Sequence, residues 1–127
     1  MTSVEIPYSI AAALPSLTVL DITNEVAHAV AEDGGSGIAY VSPNGGPSLV
    51  RVAERESGFF ADFEGLLERL VPHDQETRIR LVTFLLGPRT EQVPYVRGRL
   101  SLGRWQRILL VDLHEGRAFD WTLTLVG

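Results

Sequence analysis

Apolar and polar positions along this chain separate into stretches with different periods. Val4 to Ile10 is an extended apolar segment interrupted by Pro7. Proline has no N–H to give to a ladder, so this strand is expected at a sheet edge. Leu17 to Ile22 is a second apolar stretch, and it runs into Thr23, Asn24 and Glu25. Thr23 is the expected N-cap of a helix, with Asn24 and Glu25 suited to its first turn. Val26 and Val30 stand at i, i+4 with Ala27 and Ala31 beside them, a single apolar stripe that Gly34-Gly35 then stops.

Ile38 to Val41 reads as a strand, and the turn Ser42-Pro43-Asn44-Gly45-Gly46-Pro47 follows it. Ser48 to Ala53 returns as a strand. Ser57 then opens the best amphipathic helix of the chain, with Phe59, Phe63, Leu66, Leu67 and Leu70 on one face and Asp62, Glu64, Glu68 and Arg69 on the other. Pro72 ends it. The second half is expected to be all-β: Arg78 to Leu86, Gln92 to Val96, Arg99 to Leu102, Trp105 to Leu113 and Phe119 to Leu125. In the last strand Phe119, Trp121, Leu123 and Leu125 alternate with Asp120, Thr122 and Thr124, the pattern of a half-buried antiparallel strand. Helices at the front and strands at the back do not alternate as βαβ units. The expected class is therefore α+β, mainly antiparallel sheet layers with about two helices.

Length and charge narrow the picture. A chain of 127 residues suits a single domain over residues 1–127. Sixteen acidic against eleven basic residues leave a net charge of −5, which argues against nucleic acid as a partner because phosphate neutralisation needs a basic face. Cysteine is absent, which excludes disulfides and thiolate chemistry. No apolar run approaches the ~18 residues of a membrane helix. The opening MTSVEIPYSI lacks a basic segment followed by an apolar one, so a cytoplasmic protein is expected.

Candidate chemistry is sparse. His28, His73 and His114 are isolated, without HxH or HExxH spacing, so no metal or other cofactor is expected. The turn Asn44-Gly45-Gly46-Pro47-Ser48 either presents backbone N–H groups to an anion or is a plain turn between strands. Arg78 and Arg80 share parity on the expected strand and so one face; they either hold an anion or pair with carboxylates. Asp112 is a carboxylate on an apolar strand, either partly buried or at a strand end in water. Glu54 and Glu56 straddle a bend.

At Gly98 to Leu110, GRLSLGRWQRILL, the sequence resembles the signature of the YjbQ-like family, a G-x-[LIV]-x-x-G-T-W-Q-x-[LIV] block. Leu20 to Val30 resembles the family's first helix entry. Ser48 to Pro72 resembles its strand-then-helix block ending in Val-Pro. Phe84 to Gly87 followed by Val93-Pro94 resembles the strand pair ahead of the signature. The resemblance implies a small α+β protein that assembles as a homotrimer with clefts between subunits. It also implies a weak thiamine-phosphate synthase-type activity as one possible function. This chain departs where the family carries its polar site. The histidine of the family's HTT motif aligns with Asn44, and the residues after it with Gly45 and Gly46. The family's Asn-Glu pair falls on Val52 and Ala53, or on Ala53 and Glu54. The later histidines fall on Arg78 and Arg80, and the GTWQ threonine on Arg104. The loop between Pro72 and Arg78 is shorter than usual.

Imidazole binds metals and shuttles protons near neutral pH, whereas Asn does neither well and Arg stays protonated. The substitutions turn a metal or acid–base site into a candidate anion site. Its expected ligand is a phosphate-bearing small molecule, and its expected residues are Asn44, Gly45, Gly46, Ser48, Arg78, Arg80, Arg104 and Gln106, with none of them catalytic. Trp105 is expected in the core. Gln106 is expected to satisfy a buried partner or to reach the cleft. A role as a structural or interaction trimer remains open beside these two readings.

Overall fold

The computed structural model describes residues 4–8, 17–44, 48–54, 62–63, 65–66, 69, 80–81, 84–85, 89–112 and 120–127. Eight strands and one complete helix are delineated: β1 (Val4–Tyr8), β2 (Leu17–Asp21), α1 (Thr23–Asp33), β3 (Gly37–Pro43), β4 (Ser48–Glu54), β5 (Glu91–Val96), β6 (Arg99–Leu100), β7 (Gln106–Asp112) and β8 (Trp121–Val126). They form two four-stranded sheets, in the orders β1-β2-β7-β4 and β6-β5-β3-β8. Every pairing between neighbouring strands is antiparallel, so the class is α+β as expected. Pro7 lies in β1, an edge strand, as expected.

The sheets and α1 share one core. Helix α1 contributes the Val26 and Val30 stripe, with Ile22 just ahead of it. Val50, Ile108 and Leu110 come from the first sheet, and Ala39, Val41, Val93 and Tyr95 from the second. In the first sheet, Leu20, Leu110 and Val50 stand in register and face this core. Their neighbours on the opposite face, Val19, Leu109, Val111 and Leu49, are buried as well, at 0%, 0%, 4% and 6% exposure. The chain therefore covers that sheet on both sides. This is why β7 carries the unbroken run Ile108-Leu109-Leu110-Val111 instead of an alternation.

Strand β4 ends the first sheet but does not leave its edge bare. The Val50 N–H donates to the Arg89 carbonyl at 3.0 Å. The Val52 N–H donates to the Glu91 carboxylate at 3.0 Å. Ser42 and Thr90 share a hydroxyl hydrogen bond of 2.8 Å nearby. The segment leading into β5 thus satisfies an edge that would otherwise recruit other strands.

Two glycines are required where they stand. A Cβ on Gly37 would lie 2.1 Å from the Val126 carbonyl oxygen, so β3 and β8 approach there only because the side chain is missing. Gly98 has φ 75° and follows Arg97 at φ 49°, two consecutive left-handed residues that close the β5–β6 hairpin.

Three expectations are corrected. Within the strand expected from Arg78 to Leu86, the described residues Arg80, Leu81, Phe84 and Leu85 are helical. The apolar run there lacks strict alternation, and a short apolar run does not distinguish a strand from a helix. Thr23 is not the N-cap but the first helical residue, after Ile22. Trp105 is 66% exposed and lies in a turn, outside the core. In the expected helix from Ser57, residues 62, 63, 65, 66 and 69 are helical; Phe59, Leu67 and Leu70 lie outside the described residues.

Candidate functional site

The most heavily hydrogen-bonded polar group outside the ladders is at the corner between β2 and α1. Asp21 Oδ1 accepts from the Thr23 N–H at 3.0 Å and from the Thr23 hydroxyl at 2.7 Å. The same hydroxyl accepts from the Ile108 N–H at 2.8 Å, and the Ile22 N–H donates to the Ile108 carbonyl at 3.0 Å. Asp21 Oδ2 accepts from Arg107 Nε at 2.8 Å. Arg107 also donates to Asn24 Oδ1 at 3.4 Å. The helix start is thereby pinned to β7. An Asp two residues ahead of Thr offers its carboxylate to an otherwise unpaired first-turn N–H, the task expected of Thr23.

Asp21 is 2% exposed, and burial pushes its carboxyl group up. Hydrogen bonds from Arg107 and Thr23, with the Arg107 charge, outweigh that and hold it below the ordinary 3.8. It is ionised at neutral pH. Asp21 and Arg107 were not among the expected site residues; the Asp-x-Thr spacing at a strand–helix junction is the signal that marks the first of them.

The turn ahead of β7 presents two of the polar residues named above, Arg104 and Gln106. Gly103 N–H donates to Gln106 Oε1 at 2.7 Å, while the Gln106 N–H donates to the Gly103 carbonyl at 3.1 Å. These reciprocal bonds lock residues 103–106. Gln106 is thus an exposed turn clamp, not the partner of a buried group. Between the clamped ends, the Arg104 guanidinium sits 4.9 Å from the centroid of the Trp105 ring. Stacking orients the guanidinium without consuming its N–H donors.

Asn44 lies just past β3, where its N–H donates to the Asp120 carbonyl at 3.0 Å and its side-chain oxygen accepts from Thr122 Oγ1 at 2.6 Å. Ser48 opens β4 opposite Asp112, which is buried at 5% exposure. Gln106 stands opposite Glu54, at the other end of the same strand. Six residues of strand separate these ends, about 20 Å at 3.3–3.4 Å per residue. Within one chain, Asn44 and Ser48 are therefore not brought to Arg104 and Gln106. Arg80 is exposed on its helical segment. Gly45, Gly46 and Arg78 lie outside the described residues, as do His73 and His114. His28 is exposed on α1 and contacts Glu32 one turn on. Among the described residues, no three His, Asp or Glu side chains gather as metal ligands, and no helix is long and apolar enough to cross a membrane.

Comparison with known proteins agrees with this architecture. A hypothetical protein from Aeropyrum pernix K1 superposes with a TM-score of 0.74 at 27% identity, over 100% of this chain and 99% of that one. A YjbQ/UPF0047 family protein from Clostridium acetobutylicum gives 0.75 at 21% identity, over 99% and 100%, a likeness of fold alone. A UPF0047 protein of Archaeoglobus fulgidus is 33% identical over 108 residues, covering 78% of this chain and 83% of that one. The model of the family described as UPF0047 protein YjbQ-like matches residues 12–127. The chain belongs to the YjbQ-like UPF0047 family.

Proposed function

We propose that this protein is a cytoplasmic homotrimer that binds a phosphate-bearing small molecule and carries out none of the histidine-based chemistry that the family resemblance implies. The observation that carries the reading is the Arg104–Trp105 stack on its clamped turn. It offers a pre-oriented guanidinium at the position where the family signature has threonine. Arg80 adds a second exposed guanidinium. Asn44, with an amide where the aligned family residue is histidine, can hydrogen-bond an anion but neither shuttle a proton at neutral pH nor ligate a metal well. The ~20 Å between the two ends of β4 supports a site shared between subunits, because one chain cannot close on a small ligand from both ends.

A thermal-shift panel tests this reading with phosphate, pyrophosphate, zinc and a chelator. The expected result is stabilisation by the phosphates alone. A ligand at 100 times its Kd adds about 2.7 kcal/mol, several degrees for a domain of this size. Stabilisation by zinc, destabilisation by the chelator, or turnover of a hydroxymethylpyrimidine pyrophosphate with a thiazole phosphate would each overturn it. Light scattering that returned a monomer would remove the shared site.

A further inference from the structure

The outer face of the first sheet is buried at Val19, Leu49, Leu109 and Val111, and then it opens. Where it opens stand Arg51, exposed, Ala53, half-buried, and Arg107, whose side chain is 36% exposed. Arg51 pairs in register with Leu109, and Ala53 with Arg107. Residues 51 and 53 share parity, so both arginines leave the same face from adjacent strands. Their Cβ atoms are diagonal neighbours about 7–8 Å apart, within reach of one small ligand. Ala53, opposite Arg107 and next but one to Arg51, contributes only a methyl group between them.

The charges are unbalanced. The Arg107 guanidinium is held by Asp21 through Nε and by Asn24 through a terminal nitrogen. Asp21 in turn is engaged by Thr23 as well. Arg51 makes no ion pair with any described residue. Among the described residues, two guanidinium groups thus share a ledge with one carboxylate, and that carboxylate lies buried beneath it. Two like charges this close on a half-covered face repel unless an anion sits between them.

We propose that Arg51 and Arg107 form a phosphoryl-binding ledge, with Arg107 pre-oriented by Asp21 and Ala53 as its floor. The ledge is independent of the Arg104–Trp105 turn. The class of ligand follows from donor geometry: two forked guanidinium groups offer several N–H donors to a compact group with three acceptor oxygens, more than one carboxylate can use.

The test is an NMR titration of the arginine Nε–Hε signals with inorganic phosphate at constant ionic strength, with chloride and acetate as parallel arms. The expected result is a saturable shift of Arg51 and Arg107 with phosphate, and at least a tenfold weaker response at Arg107 in Arg51→Ala. Arg51 is exposed and makes no ion pair with a described residue, so that variant keeps the fold. Arg104→Ala should leave the ledge response unchanged. Equal shifts with chloride or acetate, or an unchanged Arg107 response in Arg51→Ala, would overturn the ledge. If Arg104→Ala abolishes phosphate stabilisation and Arg51→Ala does not, the turn site stands and the ledge falls. The opposite result leaves the ledge standing without the turn site.

Discussion

The two sheets solve the same packing problem differently. The first is covered on both faces, and β7 answers with four consecutive buried residues, Ile108 to Val111. In the second, β8 alternates half-buried Trp121, Leu123 and Leu125 with exposed Thr122, Thr124 and Val126. On the outward face of the second sheet, Ile38, Tyr40 and Ser42 of β3 stand in register with Val126, Thr124 and Thr122, and Val96 of β5 with Arg99 of β6. The first sheet carries Asp21, Arg51 and Arg107 on its covered side. On this side the buried Asp21 carboxylate is paired with Arg107, whereas Arg51 is exposed. That is costly for stability alone, because a buried ion pair rarely outperforms a well-packed apolar one. The two sheets thus differ in how they are covered and in where the buried carboxylate finds its partner.

Truncation is the strongest way to break this comparison. Leu109→Ala and Leu110→Ala, on opposite faces of β7, should each cost about 2–5 kcal/mol by urea denaturation. Thr124→Ala on β8 should stay within about 0.5 kcal/mol. If only one of the two β7 substitutions is costly, the sheet is not covered on both sides. Arg107→Ala should cost about 3 kcal/mol, because it removes the charge paired with the buried Asp21 carboxylate. Gly37→Ala tests the second sheet: its Cβ has no room against Val126, and about 1–3 kcal/mol should be lost as β8 is pushed away.

The acid limb of stability sharpens the contrast further. The folded pKa of Asp21 is depressed, so its contribution is fully present above the ordinary value of 3.8 and is lost as pH falls through the lower folded value. Asp21→Asn should flatten the pH dependence of the melting point in that acid window and leave its shape near neutrality unchanged. The smallest effect is expected at the β5–β6 hairpin. Arg97 occupies a left-handed position that Asn or Gly takes more easily, so Arg97→Asn should stabilise by about 0.5–1 kcal/mol.

Much of the scaffold was legible in the residue pattern, and the reasons are local. The alternation in Trp121 to Leu125, the glycine stop after α1 and the edge proline in β1 each act through near neighbours. Arg80, Leu81, Phe84 and Leu85 were misread as strand because a short apolar run fits a strand or a helix equally. Trp105 was misplaced for a related reason: an aromatic residue bordering an apolar strand reads as core, but the Gly103–Gln106 clamp turns it outward. The candidate site was legible only in part. Arg104 is where a departure from the family signature pointed. Arg107 and Arg51 become neighbours only through the pairing of β4 with β7, residues more than fifty apart in sequence, which no local pattern displays.

The most direct measurement is a backbone amide chemical-shift map recorded during a pyrophosphate titration at constant ionic strength. The account predicts saturable perturbations at residues 51–54 and 103–107, and at the start of α1, with none along β8 or the outer face of β3. Perturbations centred on residues 121–126, or none beyond those produced by chloride, would contradict it.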